Sequence, residues 1–335
     1  MTRVIEQITD PAAMLRGLDN DAIVRIADTD LEAQALELIS KHQDHDEAIF
    51  ILGRLVWQGK LRGCVEPLAG IAIQPARGVY ARIVSVRAVA ALAETGRFLQ
   101  LWRDILAIEG AIPRGVFSEL VSYAPSGVES LELIFHTLAR AGKHDRYDAS
   151  GLTSGLIRFI NRLASSEKLN ASDLLHRFAE GLHSLLKSKP HIERGDCAVS
   201  REHQWLMPIA LRCVEFLIIA RSPAALSSTS LALLSAVPAL LFWHDADLQE
   251  ARKTFTSLVP QWPELNDALF WWTVTESRKR TKKSDLPLRH DWSVTWPGHF
   301  WAFDDASFAR TLAWINDRAL EDDQYVALAR TYRTY

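Results

Sequence analysis

The sequence predicts an all-α fold, an α-solenoid of stacked helical hairpins, on three observations. The stretch 61–95, LRGCVEPLAGIAIQPARGVYARIVSVRAVAALAET, reads as two helices joined by a tight turn at Gln74-Pro75-Ala76-Arg77. In its second half Val79, Ile83, Val86, Ala90 and Ala93 fall on one helical face, while Ala81, Ala88, Ala91 and Leu92 keep the opposite side small and apolar. A helix apolar on two sides is covered on two sides, as a stacked hairpin requires. Helix pairs of this kind recur at roughly 30 to 50 residues, the range of helical repeats. Finally, no run shows the alternating β-branched pattern of a strand except WSVTW at 292–296, which is short enough to be merely extended.

In chain order, Asp10-Pro11 starts short helices that run to about Thr29, and Asp30 is placed to cap a helix with Leu31, Ala35, Leu38 and Ile39 on one face. Asp44 opens DHDEAIFILGRLVWQG with Glu47 three residues on as a capping box, and Gly59 closes it. The pair at 61–95 follows. Gly96 separates it from RFLQLWRDILAIEG, whose face is Phe98, Leu101, Trp102 and Ile105. Pro113 and Gly115 punctuate before FSELVSYA; Pro125-Ser126 with Glu129 repeats the capping signature before SLELIFHTLARAG, which Gly142 ends. Helices are expected at about 151–164 and 172–188. A loop at 189–199, between repeats of one continuous solenoid or between subdomains, then separates an N-terminal helical-repeat segment, 1–188, from a C-terminal Trp-rich segment, 200–335. Ser200 starts a long apolar helix with Pro208 as a kink, and shorter helices are expected near 223–236, 246–257 and 263–276.

With 335 residues, 48% hydrophobic and 24% charged, the chain has the composition of an ordinary folded protein with a substantial core. A net charge of −3 gives no global field to draw nucleic acid or an anionic bilayer. Cys64, Cys197 and Cys213 are far apart and lack CxxC spacing, which fits a reducing compartment, and Cys64 and Cys213, in apolar helical runs, read as buried structural thiols. The N-terminus has no secretory pattern and no window approaches the ~20 apolar residues of a membrane span. The expectation is a cytoplasmic protein without membrane partners.

Motifs that carry chemistry are scarce. Gly53 to Leu61, GRLVWQGKL, imitates a phosphate loop, but the glycines are spaced wrongly and Leu61 stands where Ser or Thr would hold Mg²⁺. A helix C-cap accounts for it. His42 and His45, flanked by Asp44 and Asp46, make a polar interhelix loop rather than a metal site. Asp245, Asp247, Asp304 and Asp305 sit where helix N-caps are expected. GxSxG and HExxH are absent, and the cysteines lie in apolar runs that disfavour a thiolate. No catalytic residue, cofactor or metal is implied.

Two features remain. Trp243, Trp262, Trp271, Trp272, Trp292, Trp296, Trp301 and Trp314 all follow residue 240, and large indoles of this kind pack between helices more often than they stack bases. Between them the only basic cluster, Arg278, Lys279, Arg280, Lys282, Lys283 and Arg289, forms with Trp292 and Trp296 the candidate interaction set. Nucleic-acid binding through these residues is possible but not favoured. A HEAT-like DNA glycosylase, with Asp304 or Asp305 beside aromatics on a basic face, is a further alternative.

Trp271-Trp272 in a helix, a polar break, Asp291-Trp292, Trp296, the Asp304-Asp305 helix start, Trp314 and Asp323 before Val326-Ala327-Leu328, together with RIVSVRAVAALAETG at 82–96, carry a likeness. The pattern resembles the helical region that follows the P-loop module in bacterial anti-phage NTPases of the NACHT-like, signal-transduction kind. The chain has no nucleotide-binding module, so ATPase activity does not transfer. The resemblance implies a right-handed α-solenoid of degenerate HEAT-like hairpins, a non-enzymatic scaffold or sensor segment that binds a protein partner, the NTPase module or a foreign protein. The apolar periodicity of EDDQYVALARTYRTY adds the expectation that the natural protein is longer or that a partner covers this end.

Overall fold

Within each compact unit of the described chain, helices pack on helices. The computed structural model describes residues 20–142, 149–166, 170–192, 199–240, 246–283, 300–302 and 304–316, without the side chains of 20–22, 238–239, 246–247, 274–283, 311–312 and 314–316. Among these, the elements are α1 (Asn20–Ile26), α2 (Glu32–Lys41), α3 (Asp46–Gly59), α4 (Val65–Ala72), α5 (Val79–Leu92), α6 (Thr95–Ala107), α7 (Arg114–Tyr123), α8 (Val128–Leu138) and α9 (Leu152–Ala164). There follow α10 (Ala171–Leu186), α11 (Met207–Ile219), α12 (Ser228–Leu240), α13 (Ala246–Leu258), α14 (Pro263–Lys283) and α15 (Asp305–Asn316). Short 3₁₀ turns precede α2, α4, α11 and α12, and the described residues contain no strand. The all-α expectation holds at this level.

The chain divides after Arg162 into two compact units. In the first, α2 pairs with α3 and α4 with α5, while α1, α3, α5 and α7 pack successively in one row. The other row is visible in the packing of α2 on α4 and of α6 on α8. The second unit repeats the scheme: α10 pairs with α11, α10 packs on α12 and α12 on α14, and α11 packs on α13. Within each unit, packing between helices two apart in sequence therefore recurs.

Side-chain bonds mark the same step. In the first unit, Glu32 accepts from the Gly63 N–H (2.9 Å) and Asp46 from the Gly78 N–H (2.8 Å), 31 and 32 residues on. Arg97 donates to Glu66 over 31 residues and Arg87 to Glu119 over 32. The buried Trp102 indole N–H donates to Thr137 Oγ1, 35 residues on, at 2.8 Å. Arg140 reaches back to the carbonyls of Leu106, Ile108 and Gly110 at the end of α6. In the second unit Trp272 bonds Ser235 over 37 residues and Asn266 accepts from the Ala302 N–H over 36. The separations within each unit lie between 30 and 37 residues.

The helix at the centre of the opening stretch is the most enclosed. α5 packs on α3, α4, α6 and α7. It meets α3 where a Cβ on Gly53 would lie 2.8 Å from Val84 Cγ1, and α7 where a Cβ on Gly115 would lie 2.6 Å from Ile83 Cδ1. Glycine there lets two backbones approach. Burial on two sides is as expected, but the faces differ: Ala81, Val84, Ser85 and Ala88 form one, Arg82, Val86 and Val89 the other, while Val79 is 43% exposed. The helix is turned so that Arg82 donates to the Ala72 carbonyl (3.0 Å), satisfying the end of α4.

Several helix starts depart from the local capping pattern. His45, not Asp44, caps α3, its Nδ1 accepting from the Ala48 N–H at 3.3 Å, and Asp44 lies 3.5 Å from Arg77 instead. Asp28 caps the 3₁₀ turn before α2, in the place expected of Asp30. Gly127, which has no side chain to offer, stands at the N-cap of α8, and Glu129 pairs with Arg103 on α6. Gly96 lies inside the first turn of α6, and α8 ends at Leu138, before Gly142. Lys60, with φ 56°, takes the left-handed position after Gly59. Pro208 stands in the first turn of α11, where a missing N–H leaves no helical bond unmade, so it begins that helix rather than kinking it. Residues 292–296 lie outside the described residues.

A candidate interaction face on the first unit

The row of α3, α5 and α7 leaves one face partly exposed, and the sequence decides what it carries. On α3, Phe50, Arg54 and Trp57 fall at i, i+4 and i+7, opposite the buried Ile49, Leu52 and Val56. On α5, Tyr80, Ile83 and Arg87 fall at i, i+3 and i+7; on α7, Glu119 and Tyr123 follow Gly115. Phe50 meets Tyr80 edge to face at 6.3 Å, and Tyr80 is itself 73% exposed. Arg54 lies over the Phe50 ring at 5.6 Å.

One step along, Arg87 lies over the Trp57 ring at 5.0 Å and grips Glu119 with two donors, one of them at 3.0 Å. These bonds to Glu119 hold the Arg87 guanidinium above its ordinary pKa, so the guanidinium keeps its charge. Burial, with the Glu119 carboxylate second, pushes the Tyr123 phenol up and keeps it neutral. The three helices are therefore cross-tied at one end of the face, while at the other Tyr80 and Val79 are exposed and Arg54 lies half-buried over Phe50. Trp, Tyr and Arg are the residues in which binding energy concentrates at protein interfaces.

Among the described residues no three His, Cys, Asp or Glu side chains converge as metal ligands. The phosphate-loop imitation is helical throughout α3, Gly53 being occupied by the approach of Val84. His45, Asp44 and Asp46 are taken up by the cap, Arg77 and Gly78. Cys64 and Cys213 are free and buried, and burial, with Glu32 second, raises the Cys64 thiol to about 11. Burial pushes Cys213 up further. Asp304 does cap α15: its Oδ1 accepts from the Ser307 N–H at 2.7 Å, which holds the carboxyl below its usual range. Ser188 and Ser200 lie against His203 Nδ1 at 2.9 and 3.3 Å inside the second unit. Ser188 Oγ donates to the Leu185 carbonyl there, and Ile192 N–H to Val199.

No family model, curated protein or solved structure matches this chain. The face is accordingly read from its own chemistry.

The residues expected to interact lie elsewhere. Arg278, Lys279, Arg280, Lys282 and Lys283 fall in the last turns of α14, which continues to Lys283 where a loop was expected after 276. Basic residues suit that position because a helix C-terminus carries partial negative charge. Arg289, Trp292 and Trp296 lie outside the described residues, as do Cys197, Trp243 and Asp245. Trp262 and Trp301 are buried, and Trp301 packs against Phe270 at 5.3 Å, as the packing reading of the late tryptophans expects. The α3–α5 face was not singled out by sequence. Its signal is present in the aromatic–arginine–aromatic spacing of Phe50, Arg54 and Trp57, but only the placement of Tyr80 beside Phe50 gives that spacing meaning.

Proposed function

We propose that this chain is a non-catalytic helical-repeat scaffold or sensor segment that binds a protein partner, with its hairpins arranged as a right-handed HEAT-like α-solenoid. The observation that carries the reading is the set of side-chain bonds spanning one repeat, from Glu32–Gly63 to Asn266–Ala302. Such bonds are what a stack needs when each hairpin completes its neighbour. A stack of this kind offers a side-by-side row of helices for recognition, and the Phe50–Arg54–Trp57–Tyr80 face is the best furnished part of it. The partner in this reading is the P-loop NTPase module of a bacterial anti-phage system, in keeping with the resemblance of the Trp-rich tail, or the foreign protein such a system detects.

The test is co-expression with the P-loop NTPase encoded in the same reading frame or beside it. The expected result is a stoichiometric complex on size exclusion with light scattering, and no ATP hydrolysis by this chain alone. Hydrolysis by the purified chain, or no complex, refutes the reading.

A further inference from the structure

Four arginines among the described residues lie over aromatic rings, and three of them have their donors occupied. Arg87, over Trp57, closes on Glu119 of the next helix. Arg212, over Phe216 at 4.4 Å, donates to Glu215 at 2.6 Å. Arg162, over Phe159 at 5.7 Å, donates to the carbonyls of Val121 and Ala124. Arg54, over Phe50, makes no hydrogen bond or ion pair among the described residues.

A guanidinium laid on a ring has its orientation fixed and presents its N–H edge outward, which is the arrangement that takes a carboxylate with two parallel bonds. Next to Arg54 the surface is apolar: Tyr80 is 73% and Val79 43% exposed. Asp46, on the same helix as Arg54, is engaged with the Gly78 N–H and Arg77, and Glu119, on the face, with Arg87. We infer that Arg54 and the Phe50–Tyr80 pair form a receptor for an acidic segment of a partner protein, one in which an aspartate or glutamate stands beside an aromatic or aliphatic residue. The carboxylate completes Arg54 as Glu119 completes Arg87, and the apolar side chain covers Tyr80. This deepens, and rests on, the protein-binding reading above.

The experiment is selection of a displayed library of random 12-residue peptides on the intact chain, followed by fluorescence anisotropy of the enriched peptides. Enrichment of Asp or Glu next to apolar residues is expected, with affinity that weakens as salt rises. R54Q and Y80A each weaken binding about tenfold or more, because a charge-assisted bidentate contact and an exposed aromatic anchor are lost. Arg62→Gln, an exposed arginine outside the face, leaves binding unchanged, and circular dichroism shows all three variants folded. Enriched peptides without acidic residues, or binding indifferent to R54Q, overturn this inference while the complex with the NTPase still stands as the test of the protein-binding reading. A library from which nothing is enriched overturns it as well.

Discussion

Replacing Gly53 by alanine tests how closely α3 and α5 approach. In an ordinary helix interior this change stabilises by about 1 kcal/mol, since alanine orders the unfolded chain and glycine does not. At Gly53 the new Cβ would stand 2.8 Å from Val84 Cγ1, 3.1 Å from Cγ2 and 3.4 Å from Cβ. A β-branched side chain in a helix has one favoured rotamer, and here both methyls are in the way, so valine cannot turn aside. The helices must separate. Overpacking of a filled core costs about 1–3 kcal/mol, so the clash outweighs the propensity gain and G53A is expected to destabilise by about 1 kcal/mol net. In a Val84→Ala background both methyls are gone, and G53A is then expected to stabilise by about 1 kcal/mol, a coupling of about 2 kcal/mol. Urea unfolding followed by circular dichroism, with unchanged m-values, measures all four corners of the cycle. An alanine that stabilises equally in both backgrounds would refute the close approach of the two helices.

Three further outcomes follow from the same structure. Thr137→Val leaves the Trp102 indole N–H buried without its 2.8 Å acceptor and is expected to destabilise by about 1–3 kcal/mol in urea unfolding, whereas a loss below a few tenths would mean that the bond contributes nothing. Burial, with Lys187 second, lowers the His183 imidazole to about 4. The unfolded chain therefore binds the proton first, so this contribution is complete above pH 6.5 and is lost as pH falls toward 4. With its partial solvation it amounts to about 1–2 kcal/mol, and a His183→Gln variant should lose that part of the pH dependence of its melting temperature. Cys64 and Cys213 should resist iodoacetamide at pH 8 in the native protein and react once it is unfolded, as read by peptide mass spectrometry; rapid native labelling of either would contradict their burial.

Helical period and composition were enough to recover the hairpins, because burial follows from the spacing of apolar residues: Phe98, Leu101, Trp102 and Ile105 are all buried on α6 as read. Helix starts were less legible for a physical reason. Asp44 and Asp46 have N-cap side chains and Glu129 suits a capping box, yet they serve partners distant in sequence, Arg77, Gly78 and Arg103. A local rule cannot see a partner that tertiary packing brings in. The turn of α5 about its axis escaped for the same reason, since Arg82 is drawn in by the carbonyl at the end of α4. The exposed face escaped because aromatics at helical spacing read as core until a neighbouring helix shows which of them remain uncovered.

The account is tested most directly by hydrogen–deuterium exchange of the chain with and without the P-loop NTPase module. It predicts that protection on binding concentrates in peptides covering α3, the start of α5 and α7, where Phe50, Arg54, Trp57, Tyr80 and Glu119 lie. Protection confined to α14 or to the second unit, with the first unit unchanged, would contradict it.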